Sequence, residues 1–134
     1  MRTVSLRNSL ISALLPKTED IESTNVVYSF RCKCDAHYIG ECESLKNRVQ
    51  DHQQKSKNTA IYAHTAECAI FRTCFEEKYS ENNFRNRFEF LSSMFVILHK
   101  NLDYDKRKSM EAIEIRLNDP SLNKQVQHKK VYVI

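Results

Sequence analysis

A single glycine, Gly40, stands in 134 residues. A soluble chain of this length ordinarily carries about nine. Glycine supplies left-handed backbone turns and lets main chain approach a ligand closely, so its scarcity limits what the chain can build. A dinucleotide-binding fingerprint takes three glycines and a phosphate-cradling loop takes two, which excludes both. Collagen-like repeats, glycine-rich linkers and propeller blades are excluded in the same way. The remaining class is one ordinary globular domain, within the usual range of about 100–200 residues. The 41% hydrophobic and 28% charged content agrees with that class.

The charge and cysteine content set further bounds. The net charge of +4 and the pI near 8.8 permit a nucleic-acid partner. They fall short of the value above about 9 that marks an electrostatic footprint. The longest clean apolar run is Met94 to Leu98, far below the roughly 20 residues of a membrane-spanning helix. No membrane partner is therefore expected. Met1 to Lys17 holds two arginines, several serines and no acid. That composition suits a transit peptide, so a mitochondrial location is kept as the minor reading. Five cysteines leave one over in any disulfide scheme, and Cys32 and Cys34 are too close for an easy mutual bridge. Free thiols or metal-ligating thiols are expected instead.

Along the chain, residues 1–24 read as a lead-in with Leu6, Leu10 and Leu14 at helical spacing, ended by Pro16. Val26 to Phe30 is β-branched and aromatic and reads as a strand. Cys32 to Ala36 is a turn, and His37 to Gly40 begins the second arm of a hairpin. Ser44 offers an N-cap to a helix of about three turns, with Arg48 and His52 at i,i+4. A short helix is expected over Thr59 to Glu67. Residues 68–92 are polar and mixed and read as an insertion. Met94 to Leu98 is expected to be a buried third strand. Asp103 caps a helix from Tyr104 to about Leu117, with Met110, Ile113 and Leu117 on its apolar face. Asp119-Pro120 stops it, and Ser121-Leu122-Asn123 reads as a connection. Residues 125–134 form a tail whose last four residues can make a strand.

The ordered set Val26-Val27-Tyr28, Tyr38-Ile39-Gly40, Arg48 and His52 resembles the GIY-YIG nucleases. Within that superfamily it is most similar to the endonuclease domain of Penelope-like retroelements. The cysteine pair between the two tyrosine motifs, the helix Ser44 to His52, and Glu111 to Ile115 followed by Ser121-Leu122-Asn123 carry that narrower likeness. The first motif has Val26-Val27 where the family has Gly-Ile. The resemblance covers residues 25–66 and 94–124. It implies an α+β fold over 25–124, a small, mostly antiparallel three-stranded sheet flanked by helices.

The resemblance also implies chemistry. Tyr28 or Tyr38 would carry the hydroxyl that activates the attacking water. A phenol of pKa about 10 is a poor base, so a cation must assist it. Arg48 would clamp the scissile phosphate with its planar fork. His52 would donate to phosphate or help the base. Glu111, preferred over Glu114, would hold Mg²⁺ or Mn²⁺, and Asn123 would orient the site. Each has a plainer role as well. Strands enrich tyrosine, a helix arginine is usually a solvated charge, and Glu111 can pair with Arg107.

Cys32, Cys34, His64 and either Cys68 or Cys74 can form a Cys₃His zinc site pinning the hairpin to the second helix. Buried, reduced thiols are the alternative. The expected activity is metal-dependent nicking of DNA, freeing a 3′-OH for a reverse transcriptase domain of the same element in the nucleus. The polymerase is not among these residues, so a detached piece or a domesticated copy of such an element is expected. The rival readings are a catalytically inactive, zinc-stapled DNA-binding module and a zinc-stapled interaction domain without a nucleic-acid role.

Overall fold

The computed structural model describes residues 21–124. The leucine spacing of the lead-in and the strand expected at the C-terminal end lie outside them. Strands β1 (Thr24–Arg31) and β2 (His37–Ser44) form the hairpin, and β3 (Phe95–His99) pairs antiparallel with β1 on its other side. The strand order is β2-β1-β3. Helices α1 (Leu45–Asp51), α2 (Ala60–Glu67), α3 (Ala69–Lys78), α4 (Phe84–Ser92) and α5 (Tyr104–Asn118) surround the sheet. This is the expected α+β class, a three-stranded antiparallel sheet flanked by helices.

Side-chain caps start all five helices. The Ser44 hydroxyl accepts from the Asn47 amide, Thr59 from Tyr62, Cys68 from Phe71, Asn83 from Asn86 and Asp103 from Lys106. The glycine shortage is met by other short side chains. Among the described residues, Asn25, Asp35, Asn58, Asn101 and Asp119 are the five non-glycine positions with positive φ. Asparagine and aspartate tolerate that region because their side chains bond locally to the backbone.

Strand alternation places Val26, Tyr28 and Phe30 on one face of β1, opposite Cys42, Gly40 and Tyr38 of β2. With Leu45, Val49 and Ile61 they form the core. The structure differs from expectation in several places. Residues 68–92, read as an insertion, form α3 and α4 and bury Phe75, Phe90 and Leu91 in that same core. The polar residues between those aromatics face solvent and hide the pattern. Helix α1 is two turns long and ends with His52 as its C-cap. Strand β3 is a half-buried edge strand with Val96 exposed, because β1 takes the sheet centre.

A further difference concerns α5. Ile113 and Leu117 point to solvent, 47% and 75% exposed, while Arg107 is the buried residue of the helix. The Arg107 guanidinium donates to Glu41 Oε1 at 2.6 Å, to Asn25 Oδ1 at 2.9 Å and to the Leu102 carbonyl. An ionic anchor, rather than an apolar stripe, sets which side of α5 meets the hairpin. After Pro120 the chain is helical over residues 121–124, where a connection was expected.

Candidate active site and metal centre

The hairpin register sets Tyr28 directly across from Gly40 and Phe30 across from Tyr38. Gly40 has no positive φ, so its role is space rather than a turn. A Cβ there would lie 2.5 Å from Tyr28 Oη and 2.9 Å from Tyr38 Cε2. The missing side chain is what lets both phenol rings lean over the strand pair, 6.4 Å apart between centroids.

Helix α1 brings His52 onto this pair. Its Nε2 is 3.2 Å from the Tyr28 hydroxyl, and its ring lies 6.4 Å from that of Tyr38 and stacks on Phe95. Burial, with Arg48 nearby, lowers the His52 pKa to about 3, so the imidazole is neutral at pH 7. Neutral Nε2 can accept the Tyr28 proton in a hydrogen bond, leaving the phenol oxygen open to a second donor. Tyr28 itself is raised well above its ordinary value, first by burial and then by Tyr38. Tyr38 is raised by burial and by Glu111. Arg48 pulls both in the opposite direction. The half-buried Arg48 guanidinium has no hydrogen-bond acceptor among the described residues.

Glu111 is close enough to perturb both tyrosines. Its carboxylate pairs with Lys108 at 3.3 Å, and the same ammonium reaches Glu41 at 3.5 Å. Arg107, the neighbour expected for Glu111, is taken by Glu41 instead. Glu114 points elsewhere and binds His99 at 2.7 Å. Tyr28, Tyr38, Arg48, His52 and Glu111 thus share one region around Gly40. Asn123 stands behind it. Its amide takes a bond from the Ile39 N–H and gives one to the Ile39 carbonyl, both at 2.8 Å. Ser121 accepts from the His37 N–H beside it. Both residues occupy the free edge of β2, so Asn123 braces the backbone that carries Tyr38 and Gly40.

The metal-ligating set converges as well. The donor atoms of Cys32, Cys34, His64 and Cys68 lie within 4.8 Å of one another. The Cys32 and Cys68 sulfurs are 3.9 Å apart, and Cys34 Sγ is 3.2 Å from His64 Nε2. A sulfur pair at 3.9 Å is no disulfide, which needs about 2 Å. It matches the edge of about 3.8 Å of a tetrahedron with metal–sulfur bonds of about 2.3 Å. This Cys₃His cluster can hold a metal ion. Cys74 is outside it, because it lies inside α3 while Cys68 caps that helix at its near end. Cys68 is also the thiol whose pKa is lowered, through hydrogen bonds to the first α3 amides and to the neighbouring thiols against an opposing desolvation.

Two groupings escaped the sequence reading. Arg107 with Glu41 is one, hidden because a lone Arg in a polar helix gives no sign of burial. The other is Ser29 Oγ at 2.6 Å from His37 Nε2, with Arg31 against His37 Nδ1. A guanidinium only donates, so Nδ1 accepts and Nε2 carries the proton to Ser29. Ser29 is therefore a hydrogen-bond acceptor there and not an activated nucleophile.

Comparison with family models, with curated proteins and with solved structures gives no match. The functional reading rests on the site itself.

Proposed function

We propose that this chain is a metal-dependent endonuclease domain of the GIY-YIG type that hydrolyses one DNA phosphodiester per site. The observation carrying this reading is the half-buried Arg48 guanidinium, free of acceptors among the described residues, beside the hydrogen-bonded Tyr28–His52 pair. A fork of five donors with no protein acceptor suits a phosphate. Tyr28 donates its proton toward His52 and receives the attacking water on its oxygen, with Arg48 offsetting the negative charge that develops. Tyr38 lines the same face, and Gly40 keeps it open.

The Glu111 carboxylate suits Mg²⁺ or Mn²⁺, which take hard oxygen ligands, and the half-exposed Lys108 can withdraw from it. A divalent ion held there neutralises charge on the phosphate as a Lewis acid. Zinc is the ion that Cys32, Cys34, His64 and Cys68 suit, in a structural role that ties the hairpin turn to α2 and α3. In a retroelement the product 3′-OH would prime a reverse transcriptase of the same element in the nucleus.

The test is nicking of supercoiled plasmid with Mg²⁺ or Mn²⁺ by the wild type and by Glu111→Ala. Nicking lost in the variant while its circular dichroism is retained supports the assignment, and undiminished nicking overturns it. Salt-dependent DNA binding without any metal-dependent nicking would instead identify an inactive DNA-binding module.

A further inference from the structure

A cavity of about 270 Å³ is lined by His52, Gln53, Tyr62, Phe71, Phe75 and Leu91. Two of the lining residues carry a polar deficit. His52 Nδ1 and both amide atoms of Gln53 are buried and have no hydrogen-bond partner among the described residues, and His52 is only 3% exposed. Buried polar atoms are almost always paired, and each one left unpaired destabilises the fold. The rim adds two guanidiniums, Arg72 and Arg87. Neither has a carboxylate partner among the described residues, Arg87 being bonded only to Asn82.

Aromatic walls, an unpaired amide and unpaired cations at the mouth together describe one class of ligand. We infer that the cavity receives an unstacked nucleobase of the nucleic-acid substrate, its phosphate held at Arg72 and Arg87. The rings of Phe71, Phe75 and Tyr62 offer stacking surface, which is tolerant of base identity. Turned into the cavity, the Gln53 amide presents one donor and one acceptor, the pairing that reads an adenine edge. His52 connects the cavity to the chemistry. One ring nitrogen meets the Tyr28 hydroxyl, and the residue is also among those lining the cavity. A base seated there therefore belongs to a nucleotide adjoining the bond to be cut. This placement rests on the nuclease reading, whereas the base-binding cavity does not.

The experiment titrates the full chain with dAMP, dGMP, dCMP, dTMP and ribose 5-phosphate, read by amide NMR. Saturable shifts at the Gln53 side chain and the Phe71 and Arg72 amides are expected with the nucleotides, largest for dAMP, and not with ribose 5-phosphate. Gln53→Leu should weaken dAMP binding at least about fivefold, as loss of a bidentate base contact does. The same variant should melt no lower than wild type, because it removes two unpaired buried polar atoms. Weaker binding in that variant is then not unfolding. Arg72→Gln, an exposed change, should weaken dAMP but leave deoxyadenosine unaffected. The inference is overturned if ribose 5-phosphate reproduces the shifts, if no nucleotide shifts the cavity, or if Gln53→Leu binds dAMP undiminished. Nucleotide binding by a chain that nicks no DNA leaves the cavity standing and removes the nuclease reading. Nicking without nucleotide binding does the reverse.

Discussion

The Tyr28 hydroxyl lies 3.2 Å from Nε2 of a His52 whose other ring nitrogen has no partner among the described residues. This bond is the imidazole's sole hydrogen bond among the described residues, in an almost fully buried setting. Tyr28→Phe removes it at nearly constant volume. The expected cost is about 1–3 kcal/mol, the penalty of leaving a buried acceptor unmet. Plasmid nicking should fall at least about 100-fold, the low end of what a positioned acid or base contributes. Urea melts and nicking rates on one preparation check both. An active Tyr28→Phe protein would move the hydroxyl role to Tyr38.

The same histidine makes acid the weak side of the fold. Its pKa is pushed down to about 3 in the native state, while an unfolded histidine titrates near 6.5. Between those values the unfolded chain binds the extra proton, so stability is whole above about pH 6.5 and falls as pH drops toward 3. The slope approaches about 1.4 kcal/mol per pH unit from this one group. His37, lowered by burial and by Arg31, acts in the same direction. Denaturant midpoints from pH 7 to 4 should therefore fall steadily. His52→Gln should flatten the profile, and an unchanged slope in that variant would exclude His52 as its source.

Gly40→Ala tests why the lone glycine stands where it does. The added methyl would meet Tyr28 Oη at 2.5 Å and Cζ at 2.7 Å, closer than carbon atoms tolerate. One or both rings must shift. Overpacking of this kind costs about 1–3 kcal/mol, and it displaces the hydroxyl from His52. The variant should fold, lose nicking and show altered tyrosine near-ultraviolet circular dichroism. Wild-type activity would mean that neither ring position matters.

Local signals account for what the sequence revealed. Ser44 and Asp103 announce their helices through side chains that bond the first free amides, and Val26 to Phe30 announces a strand through β-branching. The Cys₃His set was legible in composition, though the choice between Cys68 and Cys74 waited on where α3 begins. Long-range partners left no local trace. Phe75 and Phe90 are buried by meeting each other and Tyr79 across two helices, at centroid distances of 5.0–6.0 Å. Each has a glutamate on one side, Glu76 and Glu89, in a segment of mixed polarity, so hydropathy alone hides them. The face of α5 was misjudged because apolar spacing at Ile113 and Leu117 outweighed, on paper, one arginine held by residues 66 and 82 positions away.

The four clustered donors should bind one zinc per chain. Because they join the hairpin turn to the α2–α3 junction, chelation should loosen both together. Zinc-ligated folds draw stability directly from the metal. Stripping it should lower the melting temperature by at least about 10 °C, which corresponds to roughly 2 kcal/mol in a domain of this size. Cys68→Ser should remove bound zinc and reproduce that loss, whereas Cys74→Ser should keep one zinc by mass spectrometry. Retained zinc in Cys68→Ser would put the fourth ligand elsewhere.

Arg107 gives the sharpest test of how α5 is held. Its guanidinium is 4% exposed and pairs with Glu41 at 2.6 Å, and Lys108 gives that carboxylate a second, more exposed partner at 3.5 Å. Removing one member of a buried pair costs more than the pair contributes, because the remaining charge keeps its desolvation without its partner. Arg107→Met should therefore destabilise by about 3 kcal/mol. Glu41→Leu in that background should restore a large part of the loss, since two apolar side chains replace an ion pair at little net cost. The four-member cycle should give a coupling energy above about 1 kcal/mol. Nicking separates anchoring from stability. Helix α5 carries Glu111, so Arg107→Met should lower activity at temperatures where the protein is still folded, and raising Mg²⁺ should recover part of it. Additive effects in the cycle would falsify the ionic anchor and return the placement of α5 to Met110 and its apolar neighbours.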